Sequence, residues 1–394
     1  MSAAPHRLAL ALGLGIALAG CATQAPLREN APGSRPVSGS DEDELWYAME
    51  RAEQELQRSP LRVRDPALNA YVRDVACRSA GPHCRDLRVY VMDVPEFNAS
   101  MAPNGVMLVW TGALLRMHDE AELAFVLGHE SGHFTAQHSI RQWRRTKDTT
   151  AFLSVFQVLA FGGGAATTAL LGGLATYATL FKFSRDMERE ADQLGIQALI
   201  RDGYDPQAGV ALWSRMLAEE KARPYQKQMT LFSTHPPSDE RLADIRGAAA
   251  SHPDAARELG RDRYRAATRP FLAQWLAADI AQRRYASSIL LIEGLLADAP
   301  PEDRGLLTFH LGEVYRRRAG PGDRATAASH YAQAVTLPNA PAAAWREHGY
   351  ALRDAGHAAA ALAAWTRYLS LAPDAEDRTL VQQAMHQAQT GSTP

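Results

Sequence analysis

Two histidines four residues apart with a glutamate between them, His129-Glu130-Ser131-Gly132-His133, are the part of this 394-residue sequence best equipped for chemistry. On a helix that spacing sets both imidazoles on one face, one turn apart, where they can share a zinc ion at about 2.0 to 2.1 Å each. Glu130 then stands beside the metal, placed to take a proton from a water whose pKa zinc lowers to about 7. So short a pattern arises by chance often enough that a third ligand is needed. The stretch from Phe183 to Asp192 holds no Gly or Pro and offers Glu188, with Asp192 one turn later. Glu188 would complete a His₂Glu set with the fourth position open, the form of a catalytic site for one Zn²⁺ per chain. Asp192 could accept the free ring N–H of a ligating histidine and fix its tautomer. Glu190, two residues past Glu188, should face away. A metzincin-type third histidine would need Gly at 136 and His at 139, where the chain has Ala136 and Ser139, and that branch is excluded.

The elements that must hold these groups are also legible. Leu123, Val126 and Leu127 repeat at helical spacing just before His129. Upstream, residues 89 to 112 read as apolar strands around a Pro103-Asn104-Gly105 turn. Behind the His-Glu-x-x-His helix, Glu188-x-x-Ala191-Asp192-x-x-Gly195, preceded by Ser184-Arg185, resembles the zinc metallopeptidase family of the CAAX prenyl protease and the bacterial heat-shock membrane protease, over about residues 41 to 260. That resemblance implies zinc on His129, His133 and Glu188, with Glu130 as the base. The segment Asn98-Ala99-Ser100-Met101-Ala102 looks like the family's edge strand above the zinc, to which an extended substrate would add by backbone hydrogen bonds. Thr234-His235-Pro236 with Arg241 beyond it matches the family's Thr-His-Pro loop, making His235 and Arg241 candidate oxyanion partners. His235 has a second possible role, occupying the open zinc position and holding the resting enzyme shut. His118 and His138 fit no ligand role; His138 should fall on another helix face, and both read as surface or second-layer residues.

Around this core the chain sets further expectations. Charges nearly cancel, 42 Lys and Arg against 44 Asp and Glu, which excludes the phosphate attraction on which nucleic-acid binders rely. Residues 1–20 hold Arg7, an apolar run and Leu18-Ala19-Gly20 directly before Cys21, a secretory signal that resembles the bacterial lipobox. A lipidated Cys21 would anchor the chain in the bacterial cell envelope; Ala22 in place of Asp favours the periplasmic face of the outer membrane. Residues 21–40 read as a flexible tether. In such a compartment Cys77 and Cys84 are expected to form a local disulfide. Residues 151–181 carry no charged side chain, which permits a membrane span but, with three consecutive glycines at 162 to 164, fits two apolar helices packed near the site better.

Beyond residue 268 the composition turns Ala-rich. Trp345, Gly349, Ala361, Trp365 and Pro373 fall on the tetratricopeptide pattern, and Leu311, Gly312, Tyr315, Tyr331, Ala334 and Pro338 on a degenerate copy. The expected architecture is therefore an α+β zincin-like, mostly helical metallopeptidase domain with a small β-sheet at 41–268, an all-α tetratricopeptide-like repeat domain at 269–388 and a disordered tail at 389–394. The order of modules resembles the periplasmic branch of the family that serves outer-membrane protein assembly. It implies a zinc endopeptidase acting on misfolded or assembly-stalled envelope proteins, with repeats that could engage the outer-membrane assembly machinery. Two alternatives remain: a catalytically silent or latched scaffold working through its repeats, and a membrane-embedded protease with 151–181 spanning.

Overall fold

A computed structural model describes residues 27, 30–146, 183–223, 235 and 239–390. The leader with Cys21, the apolar stretch 151–181, Thr234, Pro236 and the last four residues lie outside the described residues.

A three-stranded sheet forms the floor of the N-terminal half. Strands β1 (Arg88–Met92), β2 (Ala99–Met101) and β3 (Val106–Trp110) are ordered β1-β3-β2, with β1 parallel and β2 antiparallel to the central β3. The β2–β3 turn runs through Pro103-Asn104-Gly105, and Gly105 (φ 91°) packs so tightly that a Cβ there would lie 2.1 Å from the Asp86 carbonyl oxygen. Strand alternation divides the side chains between two cores. Tyr90, Met92, Val106, Leu108 and Trp110 face helix α1 (Asp41–Arg58) through Leu45, Met49 and Leu56. Val91, Met107 and Val109 face helix α2 (Pro66–Ala80) and the main core. The free side of β1 is covered, because Val63 N–H donates to the Val91 carbonyl and Asp93 N–H to that of Leu61. Among the described residues β2 is left as the edge. Cys77 and Cys84, at the end of α2 and in the turn after it, are disulfide-bonded.

After a short helix α3 (Thr111–Arg116), helix α4 (Glu120–Thr135) begins at an Asp119 cap that accepts from Glu122 N–H. α4 is buried from Glu120 to Phe134, its polar residues included. It stops at Ala136, where Gln137 takes φ 56°, and α5 (His138–Thr146) sets off in a new direction. Helix α6 (Arg185–Arg201), capped by Ser184, packs along α4 at close range. Three glycines allow this. A Cβ on Gly128 would sit 3.3 Å from Gly195 Cα, one on Gly132 3.3 Å from Ala191 Cα, and one on Gly195 3.2 Å from the His129 amide. Helices α7 (Gln207–Lys221), α8 (Asp239–Ala250) and α9 (Arg261–Thr268) complete this half.

The remaining described chain is helical: α10 (Leu272–Ala281), α11 (Tyr285–Asp298), α12 (Pro301–Arg318), α13 (Asp323–Ala334), α14 (Ala342–Asp354), α15 (Ala358–Leu371) and α16 (Arg378–Thr390). α12 pairs with α13 and α14 with α15 as antiparallel hairpins. Each pair is joined by one glycine under one aromatic ring, Gly312 against Tyr331 and Gly349 against Trp365. The expected division at 268/269 is not a division of the core. Trp275, Leu276, Ile280, Leu291, Ile292, Leu307, Leu311 and Val314 share one cluster with Leu114, Leu127 and Leu212. Buried Arg116 ties the two halves further, donating to Glu219 (2.9 Å) and Asp279 (2.7 Å), which also accept from Ser287 and Ser288. The separate clusters of α12–α14 and α14–α16 start only at Phe309. No helix among the described residues is long and apolar enough to cross a membrane.

Candidate metal centre

Four buried donors converge between α4, α6 and the segment before α8: His129, His133, Glu188 and His235. His133 Nε2 lies 3.0 Å from His129 Nε2, and the Glu188 carboxylate oxygens lie 3.7 Å from each of those nitrogens. His235 Nδ1 closes the set, 3.3 Å from His129 Nε2 and 3.0 Å from Glu188 Oε1. Donors about 2.0 Å from a tetrahedral centre stand about 3.3 Å apart, so these separations suit one zinc ion. The tautomers support the fit. His129 Nδ1 is 3.0 Å from Asp192 Oδ1, which as a carboxylate can only accept, so His129 carries its proton there and turns a lone pair on Nε2 inward. A bare lone pair facing other acceptors at 3.0 Å is unfavourable unless a cation lies between them. Burial, followed by the neighbouring imidazoles, holds His133 well below its ordinary pKa, keeping it a neutral ligand.

Glu130 is buried beside this set, with Oε1 3.6 Å from His235 Nε2 and without a hydrogen-bond partner among the described residues. Burial pushes its carboxyl above the ordinary range, against the pull of His235 and His129, which brings a general base closer to neutrality. β2 packs on α4, with Ser100 partly exposed between buried Ala99 and Met101. Asn98 precedes the strand; its carbonyl accepts from Trp110 N–H, and Ala102 N–H donates to Val106.

Arg241 is placed differently from the oxyanion role that the sequence suggested. Its Nε and Nη2 donate to Asp192 at 2.9 and 2.8 Å, and Nη1 lies 2.9 Å from Glu188 Oε2. The guanidinium also stacks over Trp213 at 4.6 Å. With each of its three nitrogens directed at a carboxylate, it clamps a ligand and that ligand's neighbour. Burial would raise the Glu188 and Asp192 carboxyls, but His235 and Arg241 beside Glu188, and Arg241 and His129 beside Asp192, hold both below their ordinary pKa.

His138 is the second-layer residue of the two alternatives, not a surface one. It is fully buried, with Nδ1 2.9 Å from His133 Nδ1, because α4 ends before it and the turn at Gln137 folds it back. Glu190 does face away from the metal donors, yet its Oε2 meets His138 Nε2 at 3.0 Å. His118 points elsewhere, 3.2 Å from Asp298. Phe183, which sequence reasoning passed over, stacks on the His133 ring at 4.0 Å.

Comparison with known proteins points to metalloproteases. The chain resembles the beta-barrel assembly-enhancing protease of Escherichia coli K12, 29% identical over 280 residues, which is 64% of this chain and 56% of that protein. It is 33% identical over 161 residues to the mitochondrial metalloendopeptidase OMA1 of Schizosaccharomyces pombe, covering 40% of this chain and 45% of that one. It is 30% identical over 156 residues to the metalloprotease YcaL of E. coli K12, covering 40% and 59%. The chain thus spans about half the length of the curated relatives it matches. Residues 62–249 match the peptidase family M48, a family of zinc metalloproteases, and in this region the chain is similar to that family.

Proposed function

We propose that the protein is a zinc-dependent endopeptidase of the bacterial cell envelope. The observation that carries this reading is the convergence of His129, His133, Glu188 and His235 on one point with Glu130 buried beside it. Zinc bound there supplies Lewis acidity and lowers the pKa of water. Glu130 receives the proton of the attacking water and returns it to the leaving amine. Asp192 and Arg241 hold His129 and Glu188 in register. An extended substrate adds to the open edge of β2 at residues 98–102, so backbone hydrogen bonds give affinity with little sequence preference. With zinc bound, His235 would be a fourth donor, as its 3.0 to 3.3 Å separations suit. Released from that place, its imidazole would face the developing oxyanion.

The resemblance to the beta-barrel assembly-enhancing protease supports misfolded or assembly-stalled envelope proteins as substrates. The lipobox-like leader supports attachment through Cys21 to the outer membrane, across a tether shorter than the sequence suggested, since Asn30 already donates to the Phe134 carbonyl and Gly33 N–H to Asp86. The helical hairpins from α12 onward, each closed by a glycine under an aromatic ring, support a tetratricopeptide-like surface for protein partners. A latched protein acting through those hairpins is the second reading, and the position of His235 favours it over a damaged site. Zinc content and casein cleavage of the chain beside Glu130→Gln separate the readings. Equal zinc with cleavage only in the parent supports the peptidase; equal zinc with no cleavage in either supports the latched protein, and absence of zinc removes the site.

A further inference from the structure

α4, α5 and α6 meet at a chain of side chains that leaves the metal donors and ends at the surface. His133 Nδ1 and His138 Nδ1 are 2.9 Å apart, and His138 Nε2 is 3.0 Å from Glu190 Oε2. Arg141, one turn after His138, donates to the same oxygen of Glu190 at 3.3 Å. His138 has no exposed side-chain surface, while Glu190 is 46% exposed. The proton positions follow from the acceptor at the outer end. Glu190 accepts, so His138 carries its hydrogen on Nε2 and offers a lone pair at Nδ1. His133 must then donate from Nδ1, and its Nε2 is left with a lone pair aimed at His129, Glu188 and His235.

We propose that His138 and Glu190 are positioning residues for the metal: the relay Glu190–His138–His133 fixes the tautomer and ring plane of the ligand His133. It does for His133 what Asp192 does for His129, but through an intervening imidazole, because the turn at Gln137 brings His138 where a carboxylate would otherwise stand. The stacked Phe183 ring holds the other face of His133 and supplies no hydrogen bond, so the relay is the sole determinant of the tautomer among the described residues. This inference rests on the metal-centre reading above.

The test is the zinc dissociation constant of the full chain, by competition with a chromophoric chelator, for the parent, His138→Ala and His138→Asn. Partners of this kind typically account for 10- to 100-fold in metal affinity, so His138→Ala should weaken zinc by about that factor. Asn can present its amide oxygen where Nδ1 stood and accept from His133, so His138→Asn should recover most of the loss. The thermal midpoint of the zinc-free proteins is measured alongside. Unchanged zinc affinity in His138→Ala overturns the proposal. So does an equal loss in both variants with a matching fall in the zinc-free midpoint, since His138 would then merely fill space. Failure of the parent to bind zinc would defeat the metal-centre reading itself, and the relay with it.

Discussion

Removing the Arg241 guanidinium is the sharpest perturbation of the scaffold beneath the site. The side chain is 3% exposed and makes three contacts of 2.8 to 2.9 Å with Asp192 and Glu188, which are 4% and 1% exposed at the side chain. Arg241→Ala leaves two buried carboxylates short of a cation, with only His129 and His235 to share them. Breaking a buried pair in this way costs about 3 to 5 kcal/mol, and loss of the stack on Trp213 adds about 1 kcal/mol. Arg241→Lys keeps the charge but cannot span both carboxylates, so it should fall between the two. The assay is urea unfolding of the zinc-free chain, repeated with zinc, which offsets part of the loss by neutralising Glu188. A loss below about 1 kcal/mol together with a selective fall in kcat would refute the clamp and restore Arg241 as an oxyanion partner.

Three further outcomes follow from other parts of the structure. Burial, with Asp119 adding to it against Arg215, raises the Glu122 carboxyl to about 7, so the folded state holds a proton that the unfolded chain has released; stability should fall as pH climbs from about 4 to about 7. Glu122→Gln should flatten that slope in urea titrations across this window; a slope left intact would contradict it. A Cβ at Gly349 would lie 2.4 Å from Trp365 Nε1, so Gly349→Ala should cost about 1 to 3 kcal/mol and expose the Trp365 fluorescence to quenchers before the N-terminal half unfolds. His235→Ala should raise basal casein cleavage at low substrate before it lowers turnover, whereas loss of activity at all substrate concentrations would sink the latch.

Motif spacing made the donor set legible, since His129, Glu130, His133 and Glu188 lie on two helices whose periodicity is plain. The closeness of those helices was written there too, in Gly128, Gly132 and Gly195, but a glycine's meaning becomes clear only once the facing backbone is known. The choice between surface and second layer for His138 was not legible, because a single left-handed residue at Gln137, which ends α4, has no strong signature when it is not glycine. Arg241 matched a family pattern, and a pattern does not reveal that two buried carboxylates will claim the guanidinium before substrate does. The boundary near 268 followed composition, yet the packing of Trp275, Leu276 and Ile292 onto the main core is a tertiary fact that composition does not encode. The sheet, with apolar residues on both faces, was recognisable from its turn at Gly105 and its unbroken hydrophobic runs.

Zinc-edge X-ray absorption of the purified chain, beside Glu188→Ala and His235→Ala, tests the central claim most directly. The account predicts one zinc per parent chain with four nitrogen or oxygen neighbours at about 2.0 to 2.1 Å. It predicts markedly weaker binding in Glu188→Ala and one fewer imidazole in His235→Ala. Absence of zinc, or a first shell that neither substitution alters, would contradict it.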